Sequence, residues 1–411
     1  MKIDATEFVK TVGLDSLKTI IANWHGDGAL ELLEWQVQLL TGGSTAAGIY
    51  RVSGTAHDRG QIAEWSLVLK CIPAPTSEHG PILVTSDDPS SPGYWKREYL
   101  IYTSGLLDNL CPGFAAVRCL LAEEKADACW LWFEDLGILN DYQWPVAEFE
   151  MAARHLGSFN GMWMAQRKLP EFDWLNTSIL PVRFTEAQLT EEALRRIAEE
   201  FRENPSLEKV WSDELIAGSW TLLVDRNRFL AAQQRLPKTF LHIDASRKNL
   251  HLCSRSSGSA PEQSPGEMTT VAIDWGFAGI GVVGCDLSFL IFGSARWFAL
   301  EPAQIPEADA RAFRSYLDGV YSSGWQGDAR LVRLGYLLTT VTRFGPIWTI
   351  LYGNQKEMWA KRLTAWFGRP VEDVLLRWSQ VNHYVVDYAS EARALMETLP
   401  DFATVRDATE D

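Results

Sequence analysis

Cysteine is scarce in this chain and nowhere clustered. The six residues (Cys71, Cys111, Cys119, Cys129, Cys253 and Cys285) include no C-x-x-C pair. That excludes a sequence-evident disulfide framework or cysteine-based zinc site, and a reducing, cytoplasmic setting is expected. Histidine is scarce as well, with seven residues, and none stands at metal-ligand spacing from His242. Long apolar runs are missing. No stretch of about 18 apolar residues is present to cross a bilayer, and the opening residues Met1–Phe8 lack an apolar core, so neither a membrane partner nor a secretory signal is expected. An excess of positive charge is missing too: 38 Lys and Arg stand against 53 Asp and Glu, for a net charge of −15. Phosphate backbones are bound by clustered cations, so a nucleic-acid partner is not expected. There is no internal repeat.

What remains is an ordinary globular composition. The chain has 411 residues, 46% of them hydrophobic and 22% charged, enough for two or three domains with a substantial core. Tryptophan is abundant at 18 residues. Core packing is the first reading of these rings, and an aromatic-walled pocket is the second. Composition gives no indication of oligomeric state.

The stretch 241–287 organises the rest. It reads Leu241-His242-Ile243-Asp244-Ala-Ser-Arg-Lys-Asn249, then a Ser-, Gly- and Pro-rich spacer from Ser254 to Glu267, then Val271-Ala-Ile-Asp274-Trp-Gly276. The flanks of the spacer, Asn249–Cys253 and Thr269–Trp275, are apolar and β-prone, which predicts a hairpin. Antiparallel pairing then brings Asn249 and Asp274 to the same end, with Asp244 just upstream. Any one of these residues alone is equally a cap, a turn or a surface position. Together they suit phosphoryl transfer. Mg²⁺ takes oxygen ligands, usually one or two side chains plus phosphates and water, and Asn249 and Asp274 can supply them. Asp244 is left to orient a hydroxyl and accept its proton.

Upstream, the order continues. Gln36–Leu40 reads as a strand, Thr41–Gly48 as a Gly-rich loop, Ile49–Val52 and Trp65–Ile72 as two more strands, with Lys70 at the end of the apolar run Leu67–Leu69. The loop is not a P-loop, because no Gly-Lys-Ser/Thr follows it. A plain hairpin turn and a phosphate cradle both fit it. Residues 74–93 read as an inserted loop. Tyr94–Gly105 reads as a helix carrying Glu98, either a partner for Lys70 or a solvated charge. Ala115–Leu121 and Cys129–Phe133 form a further strand pair, followed by Glu134-Asp135-Leu136-Gly137.

The spacing His-x-Asp-x-x-x-x-Asn followed by Asp resembles kinase-fold enzymes. Ile-Asp274-Trp, in place of Asp-Phe-Gly, is similar to the aminoglycoside phosphotransferase and choline kinase family. The resemblance runs from about Gly42 to Leu290. It implies an α+β, two-lobed protein-kinase-like fold with an antiparallel-sheet N-lobe and a mainly helical C-lobe, the nucleotide lying between them. It implies a helical extension over 1–35, a nucleotide-binding sheet with one helix over 36–136, and a helical lobe over 137–411 that holds the catalytic loop, the metal site and the acceptor pocket. It assigns Asp244 as the catalytic base and Asn249 and Asp274 as Mg²⁺ ligands. Gly43, Ser44 and Gly48 would cover the phosphates of ATP. Lys70, paired with Glu98, would reach them from the sheet, and Glu134 to Leu136 would meet the adenine. An Asp at the place of Asp286 would accept backbone N–H groups from the catalytic loop. Two departures stand out: Ile243 where the family commonly has Gly, and Ala245-Ser246 where many members have Leu-His.

Beyond residue 138 the sequence is mainly helical. Helices are predicted over Val146–Gln166, Thr190–Asn204 and Trp211–Gln234, and in the tail over 306–323, 328–354, 355–367 and 370–396. Two helices are predicted in the first 35 residues, opening at Asp4 and Asp15. The function implied is an ATP- and Mg²⁺-dependent transfer of the γ-phosphoryl group to a hydroxyl of a small molecule. An inactive nucleotide-binding scaffold and an adenylyl transferase on the same fold are the alternatives. The acceptor pocket is expected beside Asp244, walled by 138–215 and 290–360. The acidic balance and the Trp content favour a cationic or amphipathic acceptor.

Overall fold

In the computed structural model the described residues are 12–25, 31–41, 48–58, 61–75, 86–137, 143–177, 190–254, 268–345, 352–353 and 356–402. The predicted helix at Asp4 and part of the inserted loop, 76–85, lie outside them. The chain divides into two compact units: Met1–Asn109, Ala115–Leu139 and Ile273–Phe277 form the first, and Leu110–Phe114, Asn140–Ala272 and Ala278–Asp411 the second. The architecture is α+β. The first unit is built on an antiparallel sheet and the second is mainly helical.

In the first unit the chain runs through β1 (Glu31–Thr41), β2 (Gly48–Asp58), β3 (Gln61–Pro73), the helix Arg97–Thr103, a short β4 (Phe114–Ala116) that crosses the unit boundary, β5 (Cys119–Glu124) and β6 (Ala128–Glu134). The five-stranded sheet has the order β1-β2-β3-β6-β5. Alternation along β3 separates two faces. Trp65, Leu67 and Leu69 point to one face and form a buried cluster with Val37, Val52, Ala56 and Trp132. The helix Leu14–His25 covers that face with Leu17, Ile20 and Ile21, one apolar side of a helical period. Lys70, next along β3, must point to the other face, between Ile49 on β2 and Leu131 on β6.

Two expectations need correction here. β1 begins at Glu31, inside the segment read as helical, because it pairs with β2 from Glu31↔His57 to Thr41↔Ile49, with register shifts between Leu32 and Trp35 and between Leu39 and Thr41. The helix after the insertion is shorter than Tyr94–Gly105. It spans Arg97–Thr103, preceded by turns and followed by Gly105 at φ +77°.

The second unit contains β7 (Lys238–Leu241), β8 (Leu250–Ser254), β9 (Met268–Ala272) and β10 (Gly279–Val282) among its helices. β8 and β9 form the predicted hairpin, with Leu250 opposite Ala272 and Ser254 opposite Met268. β7 pairs antiparallel with β10. The helices Val146–Ala165 and Ile305–Ser322 pack along each other. Glu191–Arg202 is capped by the Thr190 hydroxyl, which accepts from the Ala193 N–H, and it buries Leu194, Ile197, Ala198 and Phe201. Trp211–Gln234 is two helices, Asp213–Val224 and Arg226–Gln234, which meet at Asp225, the C-cap of the first and the N-cap of the second. The predicted helix 328–354 ends at Phe344. Pro346 follows Gly345, whose extended ψ of 179° is what the proline ring imposes on the residue before it.

Candidate active site

In the first unit the site is built around Lys70. Its ammonium lies 2.5 Å from Glu98 Oε2 and 2.6 Å from Asp274 Oδ1. Lys70 and Glu98 are buried, whereas the Asp274 side chain is 37% exposed. Burial alone would lower the Lys70 pKa. The charges of Asp274 and Glu98 outweigh it, and the ammonium is held above the ordinary lysine value. Burial raises Glu98, opposed by Lys70 and by the Trp275 backbone N–H. Asp274 adopts φ +62°, a left-handed conformation that Asp tolerates better than most residues.

Arg97, next to Glu98, is wholly buried. Its guanidinium donates to the carbonyls of Pro92 (2.7 Å), Ser91 (2.6 Å), Pro89 (3.4 Å) and Gly276 (3.2 Å). It thus ties the end of the inserted loop and the Ile273–Phe277 strip to the Glu98 helix. Burial holds its pKa down to about 10.

At the end of β6, Glu134 pairs with Arg118 through both backbone and side chain: its N–H donates to the Arg118 carbonyl at 3.1 Å, and its Oε1 accepts from the Arg118 N–H at 2.9 Å. Asp135 accepts from Arg51 Nε (2.6 Å) and Nη2 (3.0 Å), from Ser66 Oγ (2.5 Å) and from the Gly137 N–H (2.9 Å). Leu136, between them in sequence, is half-buried. Gly48 opens β2 and is buried, and a side chain there would meet the Tyr50 ring. Gly43 and Ser44 lie outside the described residues.

In the second unit the loop 242–249 is held from beneath by Asp286. Its carboxylate accepts the N–H groups of His242 (3.1 Å) and Ile243 (2.9 Å), as the resemblance implied. It makes no cap to its own helix; the residue at that N-terminus is Gly284. Burial raises the Asp286 pKa, while His242, Asn160 and the two N–H groups oppose the rise. Asn160 Nδ2 donates both to Asp286 Oδ2 (3.1 Å) and to the Phe240 carbonyl (3.1 Å). Tyr316 donates to Asn160 Oδ1 at 2.6 Å and accepts from the Gly284 N–H at 3.0 Å. His242 Nδ1 accepts from the Asp244 N–H at 3.2 Å, so it anchors the loop. Asp244 receives Asn249 Nδ2 on its carbonyl (2.9 Å) and on Oδ2 (2.8 Å), with Lys248 Nζ 3.2 Å from the same oxygen.

Sequence reasoning missed Asn160, Tyr316, Arg97 and Lys248. Only Asn160 carried a signal: a carboxamide between Phe159 and Gly161 on an otherwise apolar helix face.

Oxygen ligation at Asp274 and Asn249 is chemically consistent. Both side chains carry oxygen donors of the kind a hard divalent cation takes. Among the described residues no cluster of three or more His, Cys, Asp or Glu could hold a metal. No helix among them is long and apolar enough to cross a membrane.

No protein-family model matches the chain, and no curated protein does. Similar solved structures exist at low identity. Amicoumacin kinase hAmiN, in complex with AMP-PNP, Ca²⁺ and Ami, is 12% identical over 93% of this chain and 96% of its own, with a TM-score of 0.47. An aminoglycoside phosphotransferase from Alicyclobacillus acidocaldarius is 12% identical over 88% and 93%, with a TM-score of 0.45. A thermostable mutant of aminoglycoside phosphotransferase APH(4)-Ia, in ternary complex with ADP and hygromycin B, is 13% identical over 91% and 99%, with a TM-score of 0.40.

Proposed function

We propose that this protein transfers the γ-phosphoryl group of ATP to a hydroxyl of a small molecule, with Asp244 as the base. The observation that carries the reading is the buried Lys70 ammonium bridging Glu98 and the half-exposed Asp274. A lysine fixed on one side by a buried carboxylate presents its charge in one direction, which suits it to hold phosphate oxygens. The hairpin register adds support. Leu250 stands opposite Ala272, so Asn249 precedes one strand where the chain leaves the other for Ile273 and Asp274.

On this reading Asp274 and Asn249 are the protein's Mg²⁺ ligands. The ion supplies neutralisation of phosphate charge when it is bound with the nucleotide. Gly48, with Gly43 and Ser44, contributes backbone N–H groups to the phosphates. The segment Glu134 to Leu136, braced by Arg51 through Asp135, meets the adenine. In the reaction the acceptor hydroxyl oxygen forms a bond to the γ-phosphorus. The bond from that phosphorus to the β–γ bridging oxygen breaks, and its electron pair leaves with ADP. The hydroxyl proton passes to Asp244, whose carboxylate is oriented by Asn249 and Lys248.

The test is nucleotide affinity by calorimetry, measured alongside turnover. Asp274→Ala is expected to weaken Mg-ATP binding and abolish transfer together. Asp244→Asn should leave nucleotide affinity nearly unchanged and lower kcat by ~10²–10⁴, the usual contribution of a positioned acid–base group. That corresponds to roughly 3–5 kcal/mol. Full turnover in Asp244→Asn would show that the base is wrongly assigned. Tight Mg-ATP binding by the wild type without transfer to any acceptor would favour a nucleotide-binding scaffold.

A further inference from the structure

The surroundings of Asp244 differ in sign from the chain as a whole. The loop 242–249 packs on the helical stretch 285–297, where the Arg247 N–H donates to Ser294 Oγ at 2.9 Å. Gly293 fits against Ser246 and Phe344, which brings the end of the helix Ala329–Phe344 to the same place. Segments 242–249, 285–297 and 336–344 together contain the acids Asp244 and Asp286 and the cations Arg247, Lys248, Arg296 and Arg343. Asp286 is engaged beneath the loop by two N–H groups and Asn160. That leaves Asp244 to face the cations. Lys248 Nζ is 3.2 Å from its Oδ2, and Arg343, over the Phe289 and Phe344 rings at 5.4 and 5.5 Å, adds a further positive charge on the helix end packed there. Arg296 is buried against neutral partners, the Asn382 carboxamide at 3.1 Å and the Gly345 carbonyl at 3.4 Å.

The aromatic faces tell the same story. Arg247 lies 4.2 Å from the Trp144 ring centroid, Lys248 4.4 Å from Trp297 and Arg296 4.8 Å from Trp378. One face of each indole is therefore taken by the protein's own cation. The cationic acceptor expected from overall acidity and Trp content meets like charges here, which disfavours it at close range. Net charge summed over the surface does not report on one pocket.

We infer that the acceptor is a hydroxy acid, its hydroxyl meeting Asp244 and its carboxylate lying against Lys248. This deepens the phosphotransferase reading and rests on it. Lys248 is only 3.2 Å from the proton-accepting carboxylate, so hydroxyl and acid must be a few bonds apart.

A matched set of probes tests this: phenyllactate, the corresponding neutral diol and the cationic amino alcohol phenylalaninol. Affinity is measured by calorimetry on the full chain, with and without Mg²⁺ and a non-hydrolysable ATP analogue. The acid should bind at least about tenfold more tightly than the amine, the scale of one charge-assisted hydrogen bond. Lys248→Glu should remove or reverse that preference, and Lys248→Arg should keep it. Equal or tighter binding of the amine by the wild type would overturn the inference. So would an unchanged preference in Lys248→Glu with loss of turnover alone, which would assign Lys248 to the phosphoryl group. Failure of every hydroxy acid to bind at millimolar concentration also counts against it. Absence of nucleotide binding would instead remove the phosphotransferase reading, and the preference measured without nucleotide would still judge the pocket.

Discussion

Ile243 adopts φ +60°, where a β-branched side chain crowds its own backbone. The strain is worth about 1–2 kcal/mol, and it is held in place by the N–H bond to Asp286 at 2.9 Å. A glycine would adopt this backbone without that crowding. Ile243→Gly would relieve the strain. It would also remove a buried side chain, at a cost of about 2–5 kcal/mol, and free the unfolded backbone, at about 0.5–1 kcal/mol. Burial wins. The variant is expected to lose about 2–4 kcal/mol, read as a lower urea midpoint at unchanged slope; a stabilised variant would show that the packing of Ile243 contributes little. Asp244 and Asn249 read as one group in the sequence because their spacing is local, and the loop does bring them together, with Asn249 Nδ2 2.8 Å from Asp244 Oδ2. Arg97, Asn160 and Lys248 were not legible there, because what defines them is a partner or a burial state set by distant segments. Arg97 reads as one charge among Lys96 and Glu98, and only folding surrounds it with four carbonyls.

The helices Val146–Ala165 and Ile305–Ser322 approach closely where glycines face each other's backbone. A Cβ on Gly157 would fall 2.0 Å from the Tyr316 carbonyl oxygen, and one on Gly319 2.2 Å from that of Arg154. In an exposed helix Gly→Ala gains about 1 kcal/mol. Here the methyl has no room, so Gly157→Ala should destabilise by about 1–3 kcal/mol through overpacking. It should also separate Asn160 from Tyr316, loosening Asp286 and the backbone of 242–243. Turnover is then expected to fall while nucleotide affinity is retained, and parallel calorimetry and kinetics separate this from general unfolding. A stability gain would mean that the helices part without cost. At this scale the sequence was informative wherever period and punctuation agree. The β8–β9 hairpin, the Thr190-capped helix and the helix Leu14–His25 were read close to their observed places. Breaks inside helical composition were read through. Asp225 interrupts Trp211–Gln234 without a Gly or Pro to mark it, and Gly345-Pro346, a clear signal, was overridden by the apolar residues on either side. The early start of β1 was hidden because Glu31-Leu-Leu-Glu-Trp35 does not alternate, and its pairing with β2 shifts register between Leu32 and Trp35.

The division into two units puts Ile273–Phe277 with the sheet, far in sequence from the rest of that unit, an assignment that local patterns cannot supply. The Lys70–Asp274 contact belongs to that unit for this reason, across a gap that only tertiary structure closes. The response to acid should differ between the units. In the second unit burial pushes His155 and His251 down to about 4, helped by Arg154 and Arg247 respectively. A histidine whose folded pKa lies below its unfolded value takes up its proton first in the unfolded chain. Its contribution is complete above about pH 6.5 and is lost as pH falls toward 4. In the first unit burial raises Asp135, but Arg51, Ser66 and the Gly137 N–H together hold it below the ordinary carboxylate value. Its contribution is present above the unfolded value, near 3.8, and is lost as pH falls below it. Acid destabilisation is therefore expected in two stages, the helical unit between about pH 6.5 and 4 and the sheet unit below. Each histidine is worth roughly 2–3 kcal/mol across its range. His251→Phe should flatten the upper stage in urea titrations repeated across this range, and Asp135→Asn should flatten only the lower one. Constant stability from pH 7 to 5, or an unchanged upper slope in His251→Phe, would mean that these histidines reach water in the folded state.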